Sequence, residues 1–368
     1  MIENIPFINK DIVRENFNDM SNKNYRKKDM FWVTTGGSTG LPMKFLQSKN
    51  IWKRELAKSK VLLEEYGYLP MMPRVSFRGG EFSFKDDNIF WKENPIYNET
   101  HFSPFHLSSK TVNYYVEKLN DINAKIFWTY PSSLLLLIDC MENNNISLEN
   151  SPDIILLISE SINLYESEKI VSYFNQSKVI MTYGHSERLI WATTDNMTLD
   201  EYKVDRRYGL FELIGDDGRN IDNNTTTGEI VGTSFENWAM PLIRYRTEDI
   251  TKYISSDKYI VDRVDGRWKQ EYIDGYDGSK VFLTALNMHS DIFEYVKQYQ
   301  FRQIAIGEVE LLLIVASSYT KKDESSILTA LKNKVGNNIH FSIKYVDKLI
   351  LTQRGKVKKI VKEGIVDE

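Results

Sequence analysis

Apolar and polar positions along this chain change period several times, and each change marks an element. Residues 1–30 mix charged and apolar positions as a short helical preamble. "MFWV" (30–33) is an apolar run, and "TTGGSTGLP" (34–42) breaks it. "NIWKRELAKSKVLLEEYGY" (50–68) then sets Leu56, Lys60 and Leu63 at helical spacing, so the local order reads strand, loop, helix. "MPRVSFRGG" (72–80) predicts a strand and a turn, and 108–131 a helix, the strand "AKIFWTY" and a proline break. "SSLLLLIDCMENNN" (132–145) and "NLYESEKIVSYFN" (163–175) predict helices. "DIILLISE" (153–160) is a continuous apolar run of the kind a sheet buried on both faces requires, and "KVIMTYG" (178–184) is another short strand. This alternation predicts an α/β fold with a parallel sheet, helices covering both faces, over the first two-thirds.

The pattern then changes. "YGLFELIGDDGRN" (208–220), "TGEIVGTSF" (227–235) and "DKYIVDRVDGR" (257–267) read as strands joined by turn chemistry, an antiparallel and barrel-like section. After about residue 268 a turn, a helix, a strand, a helix with a Ser cap ("DESSILTALKNKVG") and a last strand ("IHFSIKYVD") predict a small α+β domain. The expected division is 1–267 and 268–368, consistent with the 368-residue length.

Composition narrows the chemistry. The net charge of −4 and pI near 5.9 give no nucleic-acid footprint. Cys140 is the sole cysteine, which excludes an internal disulfide and a cysteine-based zinc site and fits a reducing cytoplasm. The start of the chain shows no apolar signal segment, and the longest apolar run is too short to span a bilayer. With five histidines, His101 and His106 among them, metal clusters are not expected.

"TTGGSTGLP" has two readings. Gly, Ser and Thr clusters form plain loops. They also form phosphate cradles, where glycine lets backbone N–H groups approach an anion and hydroxyls add donors. It lacks the Gly-Lys pair of the P-loop. Four further motifs follow in order: "YGHSE" (183–187), "GEIVGTSFENWAMPLIRYRTEDI" (228–250), "VDGRWKQ" (264–270) and "TQRGKVKKI" (352–360). Together the five resemble the motifs of the adenylate-forming superfamily of acyl-CoA synthetases, adenylation domains and luciferases. "AMPLIRYRT" and "TYPSSLLLLIDCME" look most like its phenylacetate–CoA ligase branch, and the short stretch before the glycine-rich loop favours the compact CapK-type relatives.

The resemblance implies a large N-terminal adenylation domain, a small mobile C-terminal domain, and ATP and Mg²⁺ as cofactors, with CoA as an acceptor. It gives Thr34, Thr35, Gly36, Gly37, Ser38, Thr39 and Gly40 the β- and γ-phosphates, with Lys44 adding charge. Tyr183 and Gly184 would lie at the adenine, Ser186 at the α-phosphate, and Glu187 would hold Mg²⁺. Asp249 would accept both ribose hydroxyls, with Glu248 standing where the family has glycine. Arg267 would reach ribose and phosphates, while Arg244 and Arg246 brace the segment. Lys356 would bridge carboxylate and α-phosphate, and Lys269 would be the hinge. Trp128, Tyr130, Ser159, Glu160 and His185 are candidates for the acyl pocket, His185 being equally readable as a packing residue and Trp128 more readily so.

The expected function is activation of a carboxylic acid to an acyl-adenylate with pyrophosphate release, then transfer to CoA. The alternatives are transfer to a carrier protein or to an amine or hydroxyl of a sugar in surface-polysaccharide biosynthesis, and a non-catalytic nucleotide-binding scaffold. A homodimer is an implication of the family alone.

Overall fold

The computed structural model describes residues 2–35, 43–80, 82, 88–194, 198–264, 271–286, 293, 295–350 and 359–363. In chain order the first elements are α1 (Lys10–Glu15), α2 (Phe17–Met20), β1 (Met30–Thr34), β2 (Lys44–Ser48), α3 (Asn50–Glu64), β3 (Arg74–Phe77), β4 (Trp91–Asn94) and β5 (Glu99–Phe102). Then come α4 (Val112–Ile122), β6 (Ile126–Thr129), α5 (Pro131–Asn143), β7 (Ile154–Leu157), α6 (Leu164–Tyr173), β8 (Lys178–Gly184), β9 (Trp191–Thr194) and β10 (Tyr202–Val204). β11 (Gly209–Ile214), β12 (Gly228–Ser234), β13 (Tyr245–Thr251), β14 (Ile260–Val261), β15 (Tyr272–Asp274), β16 (Lys280–Phe282) and α7 (Leu283–Leu286) follow. The last are β17 (Val296–Ala305), β18 (Glu308–Val315), α8 (Lys321–Val335), β19 (His340–Tyr345) and β20 (Ile360–Lys362).

The described residues form two compact units, and the division falls within β7. The first takes the chain up to residue 69 together with 156–264. Here β1 and β2 form an antiparallel hairpin, Thr34 opposite Lys44, and Thr35 and Met43 bond to each other across its end. β14, β10, β9 and β8 lie in that order in one sheet, with β8–β9, β9–β10 and β10–β14 antiparallel. β11, β12 and β13 form an antiparallel three-stranded sheet. α6 starts at a capping box: Asn163 accepts from the Glu166 N–H and Glu166 accepts from that of Asn163.

The second unit takes 70–155 and the described residues from 271 to 363. Its sheet runs β6, β3, β5, β4, with β3 parallel to both neighbours and β4 antiparallel at the edge. α4 buries Val112, Tyr115, Val116 and Leu119, one stripe at helical spacing. Tyr115 meets Phe77, Phe102 and Phe90 with ring centroids 5.5–6.4 Å apart, and its hydroxyl donates to the Ser103 carbonyl. Pro131 opens α5 at its first turn, where a missing N–H costs nothing. α5 buries Leu134, Leu137, Ile138 and Met141, with Cys140 3% exposed beside them. A second sheet runs β19, β18, β17, β20, and α8 makes the crossover between the parallel pair β18 and β19. Gly275 has no room for a side chain, because an added Cβ would meet the Asn338 amide at 2.4 Å. That amide donates to Ser279 Oγ and to the Phe105 carbonyl.

Several expectations need correcting. The glycine-rich stretch lies between two strands rather than between strand and helix, since "KFLQS" is β2. Its polar Gln47 and Ser48 are buried: the Gln47 amide donates to the Ser186 carbonyl while its Oε1 has no partner, and Asn237 accepts from the Ser48 N–H at 3.1 Å and donates to the Leu46 carbonyl at 2.8 Å. The β4–β5 hairpin was not expected. Within 257–264, the described part of the stretch read as a strand, the strand covers Ile260–Val261. Of the helix expected after β16, Leu283–Leu286 is described, and 287–292 lie outside the described residues. The cap of α8 is Thr320 in a capping box with Asp323, not a serine.

Candidate functional site

The first unit gathers one end of β8, the residues after it, and β13. β8 ends at Tyr183 and Gly184, and His185, Ser186 and Glu187 follow. β13 does not run straight against β12. Glu229 pairs with Ile250 and Val231 with Arg246, so Thr247, Glu248 and Asp249 form a bulge opposite Ile230. Glu248 stands at φ 65°, the left-handed region that favours glycine. Side chains staple the bulge. Glu229 accepts the Glu248 N–H at 2.9 Å and pairs with Arg246. The Thr247 hydroxyl donates to the Ile230 carbonyl at 2.7 Å and accepts the Asp249 N–H at 3.1 Å. Bulges of this kind re-aim a side chain next to a site. One position before β13, Arg244 forks onto both oxygens of Glu212 at 2.9 and 3.1 Å, a buried pair. Arg244 and Arg246 thus brace the segment, as expected.

Two tyrosine hydrogen bonds cross between the elements. Tyr183 donates to Asp249 Oδ2 at 3.0 Å, and Tyr245 donates to Glu187 Oε1 at 3.1 Å. His185 joins the first pair: Nε2 lies 2.6 Å from the Tyr183 hydroxyl and 3.3 Å from Asp249 Oδ2. Tyr183 gives its one proton to Asp249, so Nε2 carries the proton facing the tyrosine oxygen. The other ring nitrogen, Nδ1, is buried and makes no hydrogen bond. Glu187 is 6% and Asp249 7% exposed. The β1–β2 hairpin is tied to the same place, since Gln47 donates to the Ser186 carbonyl. Thr35 Oγ1 accepts the Met43 N–H at 3.1 Å, whereas the buried Thr34 hydroxyl makes no hydrogen bond.

The structure therefore brings together Thr34, Thr35, Tyr183, Gly184, His185, Ser186, Glu187 and Asp249 in one unit. Ser159 is exposed after β7 at φ 66°, and Glu160 is buried in the same unit. Trp128 and Tyr130 lie in the second unit, Tyr130 bonding Phe77 through its N–H and Trp128 lying under Arg74 and Arg78. Lys44 lies on β2 with its ammonium 4.2 Å over the Trp32 ring. Gly36, Gly37, Ser38, Thr39, Gly40, Arg267, Lys269 and Lys356 lie outside the described residues. Sequence reading missed Gln47, Glu229 and Tyr245. Tyr245 sits inside a quoted motif, so its type was visible and its partner was not.

The residues present fit a nucleotide and a hard cation. Asp249 is an acceptor-only carboxylate at a stapled bulge, and Thr34 Oγ1 and His185 Nδ1 are buried atoms without partners. Among the described residues no three carboxylate, histidine or cysteine groups cluster as a metal cage. Glu187 alone matches the one or two carboxylates Mg²⁺ takes when phosphates complete its shell.

A family model of the CapK C-terminal domain matches residues 275–363. Protein CapK of Staphylococcus aureus is 26% identical over 373 residues, covering 96% of this chain and 79% of that protein. Among solved structures, 2-hydroxyisobutyryl-CoA ligase in complex with 2-HIB-AMP and CoA in the thioesterification state superimposes with a TM-score of 0.56 at 13% identity, over 98% of this chain and 80% of that one. The open conformation of the same ligase, with the same two molecules, gives 0.53 at 13% identity, over 97% and 81%. The chain is thus similar to protein CapK over nearly its whole length, matches the CapK C-terminal domain over residues 275–363, and shares the fold of 2-hydroxyisobutyryl-CoA ligase.

Proposed function

We propose that the chain activates a carboxylic acid with ATP. A carboxylate oxygen of the acid attacks the α-phosphorus, the bond to pyrophosphate breaks, and acyl-AMP forms. The observation that carries this reading is the joining of the β8 end to the bulge of β13 through Tyr183–Asp249 and Tyr245–Glu187. Asp249 would accept the ribose hydroxyls, and Glu187 would hold Mg²⁺. Bound Mg²⁺ supplies neutralisation of the triphosphate charge. Thr34 and Thr35 would stand at the phosphates, at the mouth of the glycine-rich stretch. Lys356 would bring its ammonium to the two converging anions, and movement of 268–368 about Lys269 belongs to the same reading.

We place CoA first among acceptors, since 2-hydroxyisobutyryl-CoA ligase, which shares this fold, binds CoA. The thiolate would attack the acyl carbonyl, and AMP would leave. Transfer to a carrier protein or to a sugar amine or hydroxyl is the second reading, which rests on the CapK-type resemblance of the sequence alone.

Pyrophosphate release over a panel of aryl, short-chain, hydroxy and amino acids, with and without CoA, tests the proposal. Acid-dependent release that falls at least a hundredfold in Lys356→Ala supports it. Asp249→Asn removes an acceptor charge facing Tyr183 and His185; it should raise KM for ATP about 10- to 100-fold, the worth of charged hydrogen bonds. Acid-independent ATP hydrolysis, or ATP binding with no release from any acid, overturns it.

A further inference from the structure

The sheet of the second unit has two unlike faces. Phe77, Phe102 and Phe127 point into the aromatic core beneath α4. The opposite face carries the alternate positions. In register across four strands stand Lys92, His101, Ser76 and Trp128, with Glu99 beside Arg74 one step back. Arg78 continues the Arg74, Ser76 alternation just past β3. A sheet with parallel strands at its centre normally covers both faces with apolar groups. This face is polar and basic instead.

Among the described residues its arginines outnumber its carboxylates. Glu99, 7% exposed, takes Arg74 Nη2 at 2.7 Å on one oxygen and Arg78 Nη2 at 3.2 Å on the other. Among the described residues one carboxylate thus answers two guanidiniums. His101 adds no negative charge: its Nε2 donates to the Arg78 carbonyl at 2.9 Å, and burial holds its pKa below the usual histidine value. Both guanidiniums lie over the Trp128 ring, at 5.7 and 5.3 Å from its centre. Three N–H donors in this one cluster are buried without an acceptor: Arg74 Nε, Arg78 Nε and Trp128 Nε1. The Arg74 side chain is nine-tenths buried, while that of Arg78 is 35% exposed, which leaves a way in. A structural bridge to Glu99 would be complete with one arginine. A second guanidinium on the same carboxylate, together with three N–H donors that have no acceptor, calls for an oxygen-rich anion.

We propose that the Arg74–Arg78–Trp128 face binds the carboxylate or phosphate group of a small molecule. The proposal is carried by the second unit's own residues and does not need the adenylation reading, although Trp128 is also one of the acyl-pocket candidates of the sequence.

Fluorescence and calorimetric titrations of the full chain with inorganic phosphate and with succinate test it, succinamide being the uncharged control. Each is run with and without saturating AMP, so that anions held at a nucleotide site are separated out. Saturable binding of phosphate identifies a phosphate site, and of succinate a carboxylate site. Either supports the proposal if Arg78→Gln weakens it at least tenfold. Trp128→Phe should abolish the fluorescence change while calorimetry still detects binding. If Arg78→Gln does not fold by circular dichroism, Arg78→Lys keeps the charge and loses the planar fork, and it should weaken binding at least threefold. No saturable binding of either anion, or affinity unchanged in the folded Arg78 variant, overturns the proposal. Absence of AMP binding alongside anion binding would count against adenylation only.

Discussion

Glu248 holds a left-handed backbone, φ 65°, at an exposed position of the bulge. An L side chain there costs about 1–2 kcal/mol, and glycine escapes the cost but loses more entropy on folding. The staples from Glu229 and Thr247 hold the conformation regardless of the side chain, since both act through backbone groups. Glu248→Gly should therefore stabilise the protein by a few tenths to about 1 kcal/mol, read from urea midpoints at constant m. Destabilisation would mean that the carboxylate itself supports the loop. The departure from the family glycine thus changes the side chain while keeping the glycine-like backbone.

Elements with strong patterns were legible. The continuous run at "KVIMTYG" gave β8, and the stripe of α4 and the apolar run of α5 were equally readable. β2 and β4 were not, because "KFLQS" and "WKEN" hold few apolar residues and take their strand form from pairing with a neighbour. The α8 cap was misread by a few residues because serines lie inside the helix, where Ser325 and Ser326 back-bond to Lys321 and Lys322 carbonyls. Thr320 is the side chain that satisfies an orphan N–H, that of Asp323. Thr320→Ala should cost about 1 kcal/mol in urea unfolding, whereas Ser325→Ala should be neutral or slightly stabilising. For the site, residue types were readable from spaced motifs. The crossing tyrosine bonds were not, since they depend on which strand of one sheet meets the end of another.

At the scale of the whole molecule, acid should act through buried carboxylates. Burial alone would raise the Glu99 pKa, but the nearby Ser76 hydroxyl and the Arg74 and Arg78 guanidiniums together hold it below its ordinary 4.5. A carboxylate with a lowered folded pKa contributes stability above its unfolded pKa, and that contribution is lost as pH falls through the folded value. Unfolding free energy should therefore drop below about pH 4.5, and Glu99→Gln should flatten that limb of the curve while lowering stability at neutral pH. A limb unchanged in Glu99→Gln would assign acid sensitivity to other carboxylates.

The buried face of α5 has a use beyond packing. Cys140 is the sole cysteine, and burial, first among its causes, pushes its thiol up to about 11. Thiolate is the reactive form, so this sulfur should stay silent toward maleimides in the native protein and titrate as one equivalent after denaturation. The natural chain is thereby a blank background for spectroscopy: a spin label or dye attached at any cysteine introduced on the surface would report from that position alone.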